Sequence, residues 1–120
     1  MIRQLNLSEF AAWRDSARAS HPDSLPVVLD VREPWEMQTA SVRADGFTLL
    51  HIAMRDVPVR LAELQEAHAS DQPIACLCHH GMRSLQVANY LTQNGFTQVV
   101  NLQGGIDAWA QQIDPSVPAY

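Results

Sequence analysis

Lysine is absent from the 120 residues, and the eight basic side chains are all arginine. Thirteen acidic residues outnumber them, giving a formal net charge of −5 with the histidines neutral. The arginines form no cluster, so the chain lacks the positive surface that general nucleic-acid binding needs. No apolar run approaches the ~20 residues of a membrane-spanning helix, and the opening "MIRQLNLSEF" lacks the apolar core of a secretion signal. These absences point to a cytoplasmic protein with neither a nucleic-acid nor a membrane partner, in a compartment that keeps thiols reduced. Cysteine is scarce, with Cys76 and Cys78 alone. Internal repeats and low-complexity linkers are missing too. The length suits one domain, 1–120, with a single core.

What the chain does contain is an alternation of strand and helix patterns. "LNLSEFAAWRDSARAS" reads as a helix with Ser8 as N-cap and Phe10, Ala11, Trp13 and Ala17 along one stripe. "PVVLDV" (26–31), "FTLLHI" (47–52), "PIACLC" (73–78) and "TQVVNL" (97–102) read as four buried strands. Between them, "PWEMQTA" adds a turn with Pro34 at the first helical position, and "VPVRLAELQEAH" an amphipathic helix with Val57, Leu61, Leu64 and His68 in line. "RSLQVANYLTQN" is a helix closed by Gly95, and "GGIDAWAQQI" a last short one. The tail "DPSVPAY" is expected to lie extended on the surface. This order implies an α/β domain with a parallel sheet and helices on both faces. In such sheets ligands bind beyond the carboxyl ends of the strands. Both "LDVRE" and "LCHHG" fall there.

The second of these carries the chemistry. In Cys78-His79-His80-Gly81-Met82-Arg83-Ser84 a strand turns into a helix around a thiol. Gly81 permits a tight path on which loop N–H groups point inward, and the next helix adds its positive N-terminal end. Such a cradle favours thiolate over thiol and makes it a nucleophile. Arg83 is placed either to bind an anion or to brace the loop. Free cysteines are also common as buried apolar residues, so the pattern alone leaves a reactive and an inert thiol both open.

The motifs "CHHGMRS", "NGFTQVVNLQGGIDAW" and the upstream "LDVREPWE" together resemble the rhodanese-like sulfurtransferase family, in order and over nearly the whole chain. The resemblance implies a rhodanese-like parallel sheet, with Cys78 as the nucleophile and residues 79–84 as the active-site loop. It also implies that Asp30 braces that loop and that Arg32 and Glu36 form a structural ion pair. The implied reaction moves a sulfane sulfur, through a persulfide on Cys78, from a small donor such as thiosulfate or from a protein persulfide. The acceptor is a thiol or cyanide, and no metal or organic cofactor is involved. One departure lies in residues 40–46, where Ala40-Ser41-Val42 stands in place of the family's usual Gly-His-Ile. This is the region expected to alter specificity.

Several other readings compete. Phosphatases and arsenate reductases of related fold place one more residue between cysteine and arginine than the four found here, His79 to Met82. The smaller loop suits a single sulfur. Some domains of this fold serve only as binding or regulatory modules, but those lack the cysteine. A metal site built from Cys76, Cys78, His79 and His80 lacks the second ligand pair that structural zinc requires. Cys76 and Cys78 stand about 6.6 Å apart along one strand face, the long limit for a disulfide, so Cys76 is expected to be a core residue. His79 and His80 are either inert loop residues or a rim of conditional positive charge. His51 and His68 are expected at packing or surface positions, Trp35 and Trp109 over the core, and Glu63 and Glu66 on a solvated helix face.

Overall fold

Alternate residues of the strands feed two separate apolar cores, one on each face of a single sheet. The computed structural model describes residues 2–120. Five strands, β1 (Arg3–Asn6), β2 (Val27–Asp30), β3 (Thr48–His51), β4 (Ile74–Leu77) and β5 (Val99–Gln103), form the sheet in the order β1-β5-β4-β2-β3, every pair parallel. Val27, Leu29, Ile74, Cys76 and Val99 point to one face. There α3 (Leu61–Ala67) and α4 (Met82–Gln93) cover them with Leu64, Val87, Ala88 and Leu91. Leu5, Val28, Ala75, Leu77, Val100 and Leu102 point to the other. That face is closed by α1 (Phe10–Ser20) and α5 (Gly105–Gln112) through Phe10, Ile106 and Trp109, with Phe47 edge-on to both aromatic rings. The period of two in the strands thus produces the expected α/β sheet with helices on both faces. Among the described residues no helix is long and apolar enough to cross a membrane.

The structure corrects several local expectations. β1 is a fifth strand with three of its four residues exposed, so it carries no apolar run to read. β3 is an edge strand and only partly buried. Asn6, not Ser8, caps the first turn. It accepts from the Ser8 N–H and forms a capping box with Glu9, giving a 3-10 turn at Leu7–Glu9 before α1 begins. The helix expected from Val57 starts only at Leu61, though Val57 itself is buried. Pro34 does open α2 (Pro34–Thr39), and Gly95, at φ +99°, follows the end of α4. The tail does not lie loose on the surface, because Val117 is buried and Tyr120 reaches the carboxyl end of the sheet.

Candidate active site

β4 ends at Leu77 and α4 begins at Met82, so four residues make the whole turn. Cys78 is its floor, 1% exposed. Gly81 adopts φ +103°, a conformation open to glycine at little cost. In that geometry its N–H donates to Cys78 Sγ at 3.0 Å. The Ser84 hydroxyl, one turn into α4, lies 3.3 Å from the same sulfur.

Two of the loop carbonyls are held by α5. The Cys78 carbonyl accepts from the Ile106 N–H at 2.8 Å, and the His79 carbonyl from the Asp107 N–H at 3.2 Å, both in the first turn of α5. Two positive-φ glycines, Gly104 and Gly105, bring that turn in close. A Cβ on Gly105 would collide with both loop carbonyls. The sulfur therefore faces amide hydrogen and the positive end of a twelve-residue helix, an environment that stabilises an anion on it.

The wall of the loop is a charge network whose partners differ from those expected. Arg32 is fully buried and gives its Nε and Nη2 to the Asp30 carboxylate at 2.7–3.0 Å, with a further bond to the Ala40 carbonyl. From Glu36 it receives only the backbone carbonyl, at 3.3 Å. The expected Arg32–Glu36 pair is thus replaced by Arg32–Asp30. The Asp30 carboxylate, whose described partners are the Arg32 side chain and N–H, does not brace the cysteine loop. Burial opposes the Arg32 charge, but hydrogen bonds to Asp30 and Tyr120 prevail and hold its pKa above the ordinary value.

Glu36 pairs instead with Arg83, in a two-pronged contact of 2.7 and 2.9 Å that ties the start of α4 to α2. The Arg83 hydrogen bonds are the main cause of a Glu36 pKa lowered to about 2. Arg83 is thereby a brace rather than a free anion ligand, with its own pKa raised by the same contact.

Tyr120 completes the wall. Its hydroxyl accepts from Arg32 Nη1 and donates to Glu36 Oε1, both at 2.9 Å, and burial raises its pKa. The Tyr120 ring stacks on His79 at 3.9 Å and 7°, and His79 in turn stacks on His80 at 3.9 Å. Burial, then the neighbouring His80, lowers the His79 pKa, which favours the neutral ring. This weighs against His79 as a cation of the rim, and His80, which is exposed, is the histidine open to solvent there.

The structure brings Cys78, Gly81 and Ser84 together at the sulfur, with Arg83 and Glu36 one layer behind. Met82 is 71% exposed beside them. Trp35 is also exposed and packs edge-on to Tyr120 instead of covering the core, whereas Trp109 is buried as expected. His51 receives a role, its Nε2 lying 2.6 Å from the Arg32 carbonyl. Cys76 is completely buried in the core, and burial pushes its thiol pKa far up. In residues 40–46, Ala40 and Val42 are buried against the Trp109 side of the sheet. Three residues at the site escaped the sequence reading: Tyr120, Asn101 and Gln4. Asn101 had a signal, as the lone amide within the apolar "VVNL".

A family model described as a rhodanese-like domain matches residues 13–112. The rhodanese-like/PpiC domain-containing protein 12 of Arabidopsis thaliana, termed chloroplastic, is 37% identical over 93 residues. That match takes in 78% of this chain, which spans only 30% of the plant protein's length. A sulfurtransferase of Allochromatium vinosum is 33% identical over 91 residues, covering 76% of this chain and 78% of the relative. Among solved structures, a rhodanese-related protein from Thermoplasma volcanium superposes with a TM-score of 0.69 at 27% identity, over 97% of each chain.

Proposed function

This chain belongs to the rhodanese-like domain family, and from that premise we propose that it is a sulfurtransferase carrying its cargo as a persulfide on Cys78. The observation that carries the reading is the sulfur cradle. The Gly81 N–H sits on Sγ at 3.0 Å, and the loop carbonyls that would repel an anion are turned out to α5. In the first step the Cys78 thiolate attacks the outer sulfur of thiosulfate. A bond forms between Sγ and that sulfur, the sulfur–sulfur bond of thiosulfate breaks, and sulfite leaves with the electron pair. With a protein persulfide as donor the same attack releases that protein's thiolate. In the second step cyanide or a thiolate attacks the outer sulfur, takes it as thiocyanate or a new persulfide, and returns Cys78 as thiolate. The charge lies on Sγ in the thiolate and on the outer sulfur in the persulfide; the Gly81 N–H serves the first, and the helix end favours an anion in either position. Neither step calls for a metal or an organic cofactor, and both suit a reducing compartment such as the cytoplasm.

Phosphoryl or arsenate chemistry fits less well. The loop is short, and the arginine that would clamp the oxyanion is already matched by Glu36. The reading is tested by incubating the protein with thiosulfate, and separately with a protein persulfide, and weighing it. A gain of one sulfur atom on Cys78, discharged by cyanide or a thiol and absent in Cys78→Ser, is the expected result. A folded protein that gains no sulfur from either donor would make the domain a binding module instead.

A further inference from the structure

Among the described residues two groups hydrogen-bond to Cys78 Sγ, the Gly81 N–H and the Ser84 hydroxyl, and one buried side chain bonds to both of these residues. Asn101 Nδ2 donates to the Gly81 carbonyl at 3.1 Å, and Asn101 Oδ1 accepts from Ser84 Oγ at 2.6 Å. Asn101 lies in β5, paired with Cys76 of β4 on one side and Gln4 of β1 on the other, and is 1% exposed. A primary amide at such a position costs free energy unless its polar atoms are matched. Here they are: the second Nδ2 hydrogen goes to Gln4 Oε1 at 2.8 Å. These partners also fix which way the amide faces. Exchanging its oxygen and nitrogen would set Oδ1 against the Gly81 carbonyl, which cannot turn into a donor.

The Ser84 hydroxyl has one hydrogen and two claimants. With Asn101 Oδ1 at 2.6 Å and Sγ at 3.3 Å, the hydrogen goes to the amide while Cys78 is a neutral thiol. A lone pair of the serine oxygen then faces the sulfur. Once Sγ is anionic, as the thiolate, the charge draws the hydrogen across, because a hydrogen bond to an ion is the stronger one.

We propose that Asn101 is a positioning residue for sulfur transfer, lending the Ser84 hydrogen to the sulfur only when the sulfur carries charge and clamping Gly81 so that its N–H stays on Sγ. The proposal rests on the transfer reading above and adds a residue outside the cysteine loop to it. Asn101 acts through its two neighbours and does not itself touch the sulfur. Gln4, from the edge strand, stands one step further out and takes the second amide hydrogen.

The test is the pH profile of alkylation at Cys78 by iodoacetamide, followed by mass spectrometry in a double-mutant cycle of Asn101→Leu and Ser84→Ala. In the parent background, Ser84→Ala removes a shared hydrogen and should move the alkylation midpoint up by about half a pH unit, roughly threefold in thiolate fraction. In the Asn101→Leu background the hydroxyl has no other claimant. There the same Ser84→Ala change should move the midpoint by about one unit, roughly tenfold. Equal displacements in the two backgrounds would overturn the proposal, because an amide that merely fills space gives additive effects. Should Asn101→Leu fail to fold, Asn101→Val, whose β-branched side chain suits a buried strand, removes the amide instead. The Ser84→Ala displacement must then differ between the parent and Asn101→Val backgrounds, and an unchanged displacement overturns the proposal. Alkylation needs no sulfur donor, so failure of the transfer reading would leave this outcome readable on its own.

Discussion

Replacing Glu36 with glutamine, Glu36→Gln, tests how the wall of the cysteine loop is held. The carboxylate receives two Arg83 nitrogens, the Tyr120 hydroxyl and the Glu33 N–H, and its pKa falls from 4.5 to about 2. That difference corresponds to about 3 kcal/mol of native-state stabilisation at neutral pH, at about 1.36 kcal/mol per pH unit. Arg83 is 32% exposed, and solvent screening makes the figure an upper bound. The native value is the depressed one, so the stabilisation is complete above pH 4.5 and is lost as pH falls toward 2. At pH 3 the unfolded carboxylate is already protonated while the native one is still mostly ionised, and about 2 of the about 3 kcal/mol has gone. Glutamine keeps the shape and an acceptor but not the charge. Urea unfolding of both proteins should show a gap of about 3 kcal/mol at pH 7, shrinking to about 1 kcal/mol at pH 3. The remaining carboxylates titrate alike in both proteins and cancel. A gap of equal size at the two pH values would refute the reasoning and make Glu36 a matter of shape and neutral hydrogen bonding.

Cys76→Ser should retain most of the sulfur transfer while losing about 1–3 kcal/mol of stability, since a hydroxyl replaces a thiol in a dry core; an inactive but folded variant would indicate a dithiol mechanism. The unmodified protein should not hydrolyse aryl phosphates, and inserting one residue between Cys78 and Arg83 should weaken sulfur transfer by opening the loop; robust phosphatase activity would sink the loop-size reasoning. His79→Gln should alter the pH dependence of KM for thiosulfate little between about pH 6.5 and 8, because burial and His80 lower the charge this imidazole carries there. A flattened profile in that variant would show that His79 protonates in this range after all.

The strand-and-helix order and the cysteine turn were legible because each is written in contiguous residues. A short apolar run, a glycine and a helix pattern specify their geometry locally, and the match of Gly81 to its positive φ follows from that. The wall was less legible because its partners are far apart in the chain. The family resemblance implied Arg32 with Glu36, four apart. Yet Asp30 and Arg32 are two apart on an extended strand end, which puts both on one side, and that shorter spacing prevailed. Nothing local links Glu36 to Arg83 or Tyr120 to Arg32, and only the folded sheet brings them together. β1 stayed hidden for another reason, since an edge strand with a solvated face has no need of apolar alternation.

The outward hold that α5 keeps on the Cys78 and His79 carbonyls has a consequence for how the protein is made. Cys78 emerges from synthesis well before its supports, for Asn101 lies 20 positions beyond Gly81, and Ile106 and Asp107 follow later still. Until β5 pairs with β4 and α5 seats against the turn, nothing directs the loop amides at the sulfur. On the transfer reading proposed above, a nascent chain lacks the cradle, and half-made molecules are expected to be poor acceptors of stray sulfur. The cradle arrives together with the long-range contacts that finish the fold. The alkylation rate of Cys78 during refolding is accordingly a clock for the docking of β5 and α5, read at a single atom.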